Sequence, residues 1–194
     1  MSTQPVLTTA LIATARRIKS RVRRIAQQLN SMYPPGEDIV LVGVLSGAAW
    51  FTCDLARELA QATARGIYVD WVKVRTYSGM ERVDQPTMLL HPRDELIKGR
   101  RVIVVEDVVD TGHTACFVLE MLRAERYGAR SVELVALVSK ATPRTSAIVP
   151  MLQGFVLPSD WFIVGYGMDY NERFRNMPYL ARCKKVTEGT KCQN

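Results

Sequence analysis

Near-continuous apolar segments alternate with helix-like segments through most of this chain, and that alternation restricts the fold more than any other feature. Strands are predicted at residues 39–45 (IVLVGVL), 68–77, 101–107, 131–140 and 161–168. Helices are predicted from the turn at 46–48 to about 64 and from about 114 to 127, with a polar loop at 78–93. Strands that are apolar on both faces and alternate with helices form a parallel sheet covered on both sides. The predicted fold class is therefore α/β, a mainly parallel twisted sheet flanked by helices.

Length and composition indicate a single domain with its own core. The chain has 194 residues, of which 47% are hydrophobic and 23% charged, values typical of globular rather than disordered or fibrous proteins. No apolar run approaches the roughly 18 residues of a membrane span, so we expect a soluble protein with no membrane partner. The cysteines lie far apart without a C-x-x-C pair, which argues against a zinc or redox motif. Reduced thiols and a cytoplasmic location are the default expectation.

The N-terminal segment is basic, and its role is open to more than one interpretation. Residues 1–36 contain no acid, and basic side chains crowd between Arg16 and Arg24, as in some mitochondrial presequences. Organellar targeting therefore stays open. Apolar residues from Leu7 to Leu29 recur at steps of three or four, which predicts a mature amphipathic helix. The net charge of +7 favours anionic partners without separating nucleic acid from small phosphorylated molecules. A basic helix face is usually solvated, and a second role for it is left open.

Polar side chains follow several of the predicted strands at the point where each strand ends. They are Ser46 and Gly47, Glu106, Asp107 and Asp110, Lys140, and Asp169 just beyond the last strand. Ligands of parallel α/β sheets bind at the carboxyl ends of the strands. These side chains are therefore predicted to converge on one edge of the sheet.

The segment VIVVEDVVDTGHT, residues 102–114, combines three acids with a glycine turn. A strand that leads through a short turn into a helix presents unpaired backbone N–H groups, which suit a phosphate group. Gly112 permits close approach of the backbone, and the flanking threonines add hydroxyl donors. Glu106 and Asp107 have the wrong sign for phosphate, but they suit ribose hydroxyls or Mg²⁺. The combination predicts a site for a phosphorylated sugar, with Asp110 placed to face a reacting group.

This segment resembles the 5-phosphoribosyl-1-diphosphate (PRPP) signature of type I phosphoribosyltransferases: a hydrophobic strand, two adjacent acids, two apolar residues and D-T-G-x-T. LVSKATPR (137–144) and FIVGYGMDYNERFR (162–175) are similar to the purine-pocket strand and carboxy-terminal hood of the hypoxanthine-guanine phosphoribosyltransferases. VLSG (44–47) and RTYSG (75–79) fall where that family has its pyrophosphate loop and its mobile lid. The resemblance covers about residues 39–182.

The resemblance implies a purine-salvage enzyme that joins a 6-oxopurine to PRPP, with Mg²⁺ as cofactor, and releases pyrophosphate. Asp110 would be the general base at purine N7, Lys140 would contact the purine 6-oxygen, and Phe162 would stack on the ring. The other implied contacts are Val109, Thr111, Gly112, His113 and Thr114 for phosphate and ribose; Glu106, Asp107 and Asp169 for metal; Ile163 and Asp169 beside the purine; Leu45, Ser46, Gly47 and Arg175 for pyrophosphate; and Thr76, Tyr77 and Ser78 for the lid.

The resemblance also implies the organisation of the chain and leaves some points open. It implies one phosphoribosyltransferase domain over residues 1–194, with a core at about 36–160 and a small hood from the N-terminal segment and about 161–183. A homo-oligomer, dimer or tetramer, is implied. Ser46 and His113 depart from the usual pattern, and at Ser46 the family often has a lysine to meet pyrophosphate. Preference among hypoxanthine, guanine and xanthine stays open. The alternative function is a regulator with the same phosphate turn that binds nucleic acid through its basic first helix.

Overall fold

The structure is a computed structural model that describes residues 7–62, 65–78, 81–142 and 148–185. In chain order its elements are β1 (Leu7–Ala13), α1 (Ala15–Met32), β2 (Ile39–Leu45), α2 (Ala49–Ala62), β3 (Ile67–Ser78), β4 (Glu81–Leu90), α3 (Asp94–Ile97), β5 (Arg101–Val109), α4 (His113–Arg123), β6 (Ser131–Lys140), β7 (Leu152–Leu157), β8 (Phe162–Val164) and β9 (Leu180–Lys185). The described strands form a six-stranded main sheet and a three-stranded second sheet.

The main sheet has the order β4-β3-β2-β5-β6-β7. All of its neighbouring pairs are parallel except β3 with β4, which is antiparallel. The predicted α/β fold with a mainly parallel sheet is confirmed. The chain turns from β2 to one side and later returns to β5 on the other side, so the carboxyl ends of β2 and β5 lie next to each other. Ligands of open α/β sheets bind at such a switch point.

Helices cover both faces of the main sheet, which explains why its central strands are apolar throughout. In β2, Ile39 and Leu41 pack into the cluster formed with α1 and α2, whereas Val40 and Val42 pack into the cluster formed with α3 and α4. Burying both faces of a strand requires this continuous apolar pattern. None of the helices in the described ranges combines the length and the apolar character that a membrane crossing requires.

The predicted N-terminal helix is confirmed in α1 and wrong before it. Ile18, Val22, Ile25 and Leu29 of α1 are buried, as their spacing predicted. The helix begins after Thr14, whose Oγ1 accepts a hydrogen bond from the Arg17 backbone N–H at 3.3 Å. The preceding residues form β1, which pairs antiparallel with β9. Sequence spacing continued through this segment, but pairing with a distant strand overrides local helix propensity.

The predicted polar loop at 78–93 is wrong for most of its length, because it contains β4. β4 contains several polar residues and Pro86, so its sequence lacks the apolar pattern by which a strand is recognised. Proline is tolerated in a strand at the edge of a sheet, and β4 occupies such an edge. Gly79 and Met80 lie outside the described residues.

The C-terminal half also differs from the prediction in four places. β7 was not predicted, and it forms the second edge of the main sheet. The predicted strand at 161–168 is reduced to β8, which joins the second sheet instead of the main one. It ends where Gly165, Tyr166 and Gly167 adopt positive φ angles, a conformation that does not continue a strand. α4 ends at Arg123 instead of at 127. The tail expected to be loose from about 184 still pairs in β9 up to Lys185, and residues 186–194 lie outside the described part.

Candidate active site

The turn between β5 and α4 is tight and presents the N-terminus of a helix. β5 ends at the buried Val109, and Gly112 caps α4 with a left-handed φ of 85°. Thr111, His113 and Thr114 are half-buried around it. The first N–H groups of a helix have no partner within that helix. This turn therefore offers donors for an anion at the positive end of the helix dipole.

Two adjacent carboxyl groups lie near the end of β5, where the Glu106 side chain is buried and the Asp107 side chain is half-buried. Burial, with the nearby Asp107 charge, raises the pKa of Glu106 to about 8. Burial also raises the pKa of Asp107 to about 6, although backbone N–H donors and Arg175 oppose that rise. Within the described residues, Glu106 Oε2 has no hydrogen-bond partner. Such a pair is costly to ionise without a cation.

Asp110 lies in a different environment, because a lysine and a threonine hold it. Lys140 Nζ lies 2.8 Å from Asp110 Oδ2, and Thr142 Oγ1 donates to Asp110 Oδ1 at 2.6 Å. Burial tends to raise the pKa of Asp110, but these hydrogen bonds and the charge of Lys140 outweigh burial and lower it. Asp110 is therefore ionised at neutral pH and able to accept a proton. Sequence reasoning assigned no role to Thr142, which lies just beyond the end of β6.

A cavity of about 200 Å³ joins the strand ends to the second sheet. Its walls are Asp107, Val108, Lys140, Phe162, Ile163, Met168 and Asp169. Phe162 leaves 48% of its surface exposed, and its ring meets Tyr170 edge-on with centroids 5.6 Å apart. Small-molecule sites span ~300–1,000 Å³, so this smaller space suits a planar ring.

The loop after β8 completes the site from the opposite side. Arg175 Nη2 forms an ion pair with Asp169 Oδ1 at 2.9 Å, and Arg175 Nη1 donates to the Gly167 carbonyl at 2.7 Å. A Cβ on Gly167 would strike the backbone carbonyl of Gly47, and a Cβ on Gly47 would strike the Asp107 carboxylate. The ends of β2 and β5 and the loop after β8 are thus in direct contact, and that contact requires glycine at both positions.

One ordered contact behind this loop was missed by sequence reasoning. Tyr166 Oη donates to Asp54 Oδ2 of α2 at 2.6 Å, and Tyr166 itself is buried with a φ of 49°. Burial, followed by the bond to Asp54, raises the pKa of Tyr166. The flanking glycines at 165 and 167 were a sequence signal for an irregular backbone, but no pattern pointed to a partner on α2.

The structure brings most of the predicted site residues to one place. Of the predicted residues, Asp107, Lys140, Phe162, Ile163 and Asp169 line the small cavity. Asp110 contacts its wall through Lys140, and Arg175 does so through Asp169. Thr111, Gly112, His113 and Thr114 follow Asp110 in the turn that leads into α4. Ser46 is exposed and Leu45 half-buried in the adjoining turn, where the Leu45–Ser46 peptide bond is cis. The backbone of Thr76, Tyr77 and Ser78 belongs to β3, and their side chains lie outside the described residues.

The Glu106 and Asp107 carboxylates could supply part of the ligand set of a Mg²⁺ ion. No group of three or more histidine, cysteine or acidic side chains within the described ranges forms a complete metal cage. Magnesium commonly takes only one or two protein carboxylates and completes its coordination with water and substrate phosphate. Glu106 and Asp107, whose pKa values are both raised, fit this partial donor set.

Comparison with known proteins identifies the family. A family model described as phosphoribosyl transferase domain matches residues 9–171. Hypoxanthine phosphoribosyltransferase of Escherichia coli K12 is 33% identical over 166 residues, which cover 85% of this chain and 89% of that protein. Hypoxanthine-guanine phosphoribosyltransferase of Mycobacterium avium is 32% identical over 177 residues, 89% of this chain and 84% of that one. The chain spans only 24% of the bifunctional protein TilS/HprT of Listeria innocua, at 31% identity.

Solved structures agree with these sequence relatives. A hypoxanthine-guanine phosphoribosyltransferase from Bacillus anthracis superposes with a TM-score of 0.81 at 27% identity. The superposition covers 93% of this chain and 100% of the Bacillus anthracis chain. Hypoxanthine phosphoribosyltransferase from Trypanosoma cruzi, in complex with the product IMP, gives a TM-score of 0.78 at 27% identity, with coverage of 89% and 92%. The chain therefore belongs to the phosphoribosyltransferase family. Its relatives within that family confirm the resemblance to hypoxanthine-guanine phosphoribosyltransferases that the sequence motifs indicated.

Proposed function

We propose that this protein transfers the 5-phosphoribosyl group of PRPP to a 6-oxopurine in a Mg²⁺-dependent reaction that releases pyrophosphate. The products with hypoxanthine and guanine are IMP and GMP, and xanthine is a further candidate. The observation that carries the proposal is the pairing of Asp110 with Lys140 at 2.8 Å beside the exposed ring of Phe162. A base that is ionised, a cation and a flat apolar surface are the groups that a 6-oxopurine requires.

In the proposed complex, the purine lies against Phe162 in the small cavity beside Ile163. Lys140 donates to the 6-oxygen, which selects oxopurines because an amino group at that position would leave the ammonium unmatched. Asp110 accepts the proton at N7. The lowered pKa of Asp110 keeps it in the form that accepts, and such positioned proton transfer contributes about 10² to 10⁴ in rate.

The turn from Asp110 to Thr114 binds the 5-phosphate through backbone N–H groups and hydroxyls. Glu106 and Asp107 hold the ribose hydroxyls, directly or through the metal. Mg²⁺ held by these carboxylates would supply positive charge to offset that of the leaving pyrophosphate. The unmatched oxygen of Glu106 supports this assignment, because a buried carboxylate without a partner is explained by a ligand.

The pyrophosphate group is assigned to the surface between Leu45–Gly47 and the loop after β8. Arg175 donates to it, and Asp169 holds Arg175 in place and contributes to the metal site. The lack of a lysine at Ser46 leaves backbone donors and the hydroxyl to meet the leaving group. Thr76, Tyr77 and Ser78 are proposed to close over the site and exclude water, which otherwise hydrolyses PRPP.

The organisation of the molecule follows the same proposal. The main sheet is the catalytic core at about 36–160, and the second sheet, built from β1, β8 and β9, is the hood over the purine. The free thiols of Cys53, Cys116 and Cys183 fit a reducing cytoplasm. A homo-oligomer is proposed from the family alone.

The proposal is tested by incubating the full chain with Mg²⁺, PRPP and each of hypoxanthine, guanine, xanthine and adenine while nucleotide absorbance is followed. Turnover with an oxopurine and little with adenine is expected. Lys140→Ala should raise the KM for the oxopurine by at least tenfold with little change for PRPP. Lys98→Ala, an exposed lysine after α3, is the matched control. Failure to turn over any oxopurine, together with tight salt-sensitive RNA or DNA binding, would favour the regulatory alternative.

A further inference from the structure

A larger cavity lies apart from the site described above. It measures about 840 Å³ and is lined by residues of β1, α1, β7, β9 and the segment before β8. Four of its lining residues are arginines, at positions 17, 21, 24 and 182, and none of its lining residues is acidic. Its volume falls within the ~300–1,000 Å³ of small-molecule sites. Neither Lys140 nor any of residues 106–114 lines it.

Three of the arginines are aligned by the helix itself. Arg17, Arg21 and Arg24 follow one another at steps of four and three residues on α1, so they share one face of the helix. With a rise of 1.5 Å per residue they span roughly 10 Å along the axis. This length suits a chain of two or three linked phosphate groups better than a single small anion.

Among the described residues, no acidic side chain pairs with Arg17, Arg21 or Arg24 of this face. Arg17 Nη1 donates only to the Ile12 carbonyl at 3.3 Å, and the Arg21 guanidinium lies 5.7 Å from the centre of the Phe155 ring. Within the described part of the chain, Arg24 has neither a hydrogen bond nor an ion pair. Like charges held this close repel one another, and a bound polyanion relieves that repulsion.

The opposite wall of the cavity carries aromatic rings and one arginine whose charge is paired with an acid. Arg182 lies 4.9 Å from the centre of the Trp161 ring and pairs with Asp160 at 2.9 Å. Trp161 and Phe155 both line the space. An aromatic base stacks on such rings and on guanidinium planes. The cavity thus combines a phosphate-binding side with a ring-binding side.

We propose that this cavity binds a nucleoside di- or triphosphate, with its phosphates on Arg17, Arg21 and Arg24 and its base beside Trp161. The volume of about 840 Å³ and the roughly 10 Å span of the three arginines match a mononucleotide in size. This second site is separate from the transferase reaction and does not depend on it.

The site is tested by titrating ATP into the full-length protein in a calorimeter and comparing four variants. Arg21→Ala combined with Arg24→Ala should weaken ATP binding at least tenfold. Arg16→Ala combined with Lys19→Ala removes the same charge from α1 without touching this cavity, and it should change binding less than twofold. Lys140→Ala should leave ATP binding here unchanged, which separates this site from the proposed catalytic one. ATP should quench the tryptophan fluorescence of the wild type, and Trp161→Phe should abolish that quenching.

Several results would overturn the proposal. If Arg21→Ala/Arg24→Ala and Arg16→Ala/Lys19→Ala weaken ATP binding equally, the effect comes from the overall charge of α1. If only Lys140→Ala weakens ATP binding, ATP binds in the catalytic site. Binding of a single-stranded RNA with a steep salt dependence, but not of ATP, would make α1 a nucleic-acid surface. Dissociation of an oligomer by the Arg21→Ala/Arg24→Ala change, seen by sedimentation, would assign the cavity to a second copy. The single change Arg24→Ala at an exposed position repeats the test if the double variant does not fold.

Discussion

Replacing Glu106 with glutamine is expected to stabilise the ligand-free protein, even though the residue is proposed to bind substrate. Burial raises the pKa of Glu106 from 4.5 to about 8. A raised pKa means that the folded state holds a proton that the unfolded chain releases. Stability is therefore lost as pH rises from the unfolded value towards the folded one, and the loss is complete above about pH 8. At 1.36 kcal/mol per pKa unit, the loss at pH 7 is on the order of 3 kcal/mol.

Glutamine does not titrate, so the Glu106→Gln variant should escape this loss. Urea unfolding in metal-free buffer at pH 5, 7 and 8.5 measures the free energy of unfolding. The advantage of the variant should be small at pH 5 and grow to a few kcal/mol at pH 8.5. Any cost of burying the glutamine amide does not vary with pH, so the pH dependence isolates the ionisation of Glu106.

Two further measurements decide the case. Glu125→Gln, at an exposed position after α4, should show no comparable pH-dependent gain. Addition of Mg²⁺ with PRPP should raise the stability of the wild type more than that of Glu106→Gln, because ligand that binds only the folded state stabilises it. A wild-type stability that stays constant from pH 5 to 8.5, or a gain in the variant that does not vary with pH, would refute the reasoning.

Three other substitutions test the assembly of the site. Asp110→Asn should preserve the circular dichroism spectrum and lower kcat by about 10² to 10⁴; an unchanged kcat in a steady-state assay would remove Asp110 from its role as base. Tyr166→Phe deletes the 2.6 Å hydrogen bond to Asp54 and should lower the free energy of unfolding by about 1 kcal/mol. It should also raise the KM for PRPP more than the KM for the purine. An effect on stability alone would show that the hydrogen bond does not position the loop after β8. Gly47→Ala places a Cβ against the Asp107 carboxylate and should abolish PRPP-dependent thermal stabilisation, and a normal shift in Tm would contradict the contact.

The central strands were predictable because burial of both strand faces produces an apolar pattern in the local sequence. β2 at 39–45 and β6 at 131–140 have the predicted boundaries, since strands covered on both faces must be apolar throughout. The PRPP-like segment could also be recognised from the sequence, because acids at the end of a buried strand are costly unless a ligand compensates them. Sequence alone therefore determined the fold class, the turn at 110–114 and the family.

The edges of the sheet and the hood were decided only by tertiary contacts. β1 and β9 are far apart in sequence and become strands by pairing with each other, and β4 and β7 gain strand structure from the sheet edges that they join. The local sequence of an edge strand carries mixed polarity, so it does not distinguish strand from loop.

The same division applies to the candidate site. Residue types at the strand ends indicated a phosphorylated sugar and a ring, but no spacing showed that Lys140 would pair with Asp110 or that Arg175 would hold Asp169. Those distances depend on how the strand order and the loop after β8 bring separate segments together, with Gly47 and Gly167 permitting the approach. Local burial patterns are short-range and can be read along the chain, whereas electrostatic pairing between distant segments exists only once the sheet has formed.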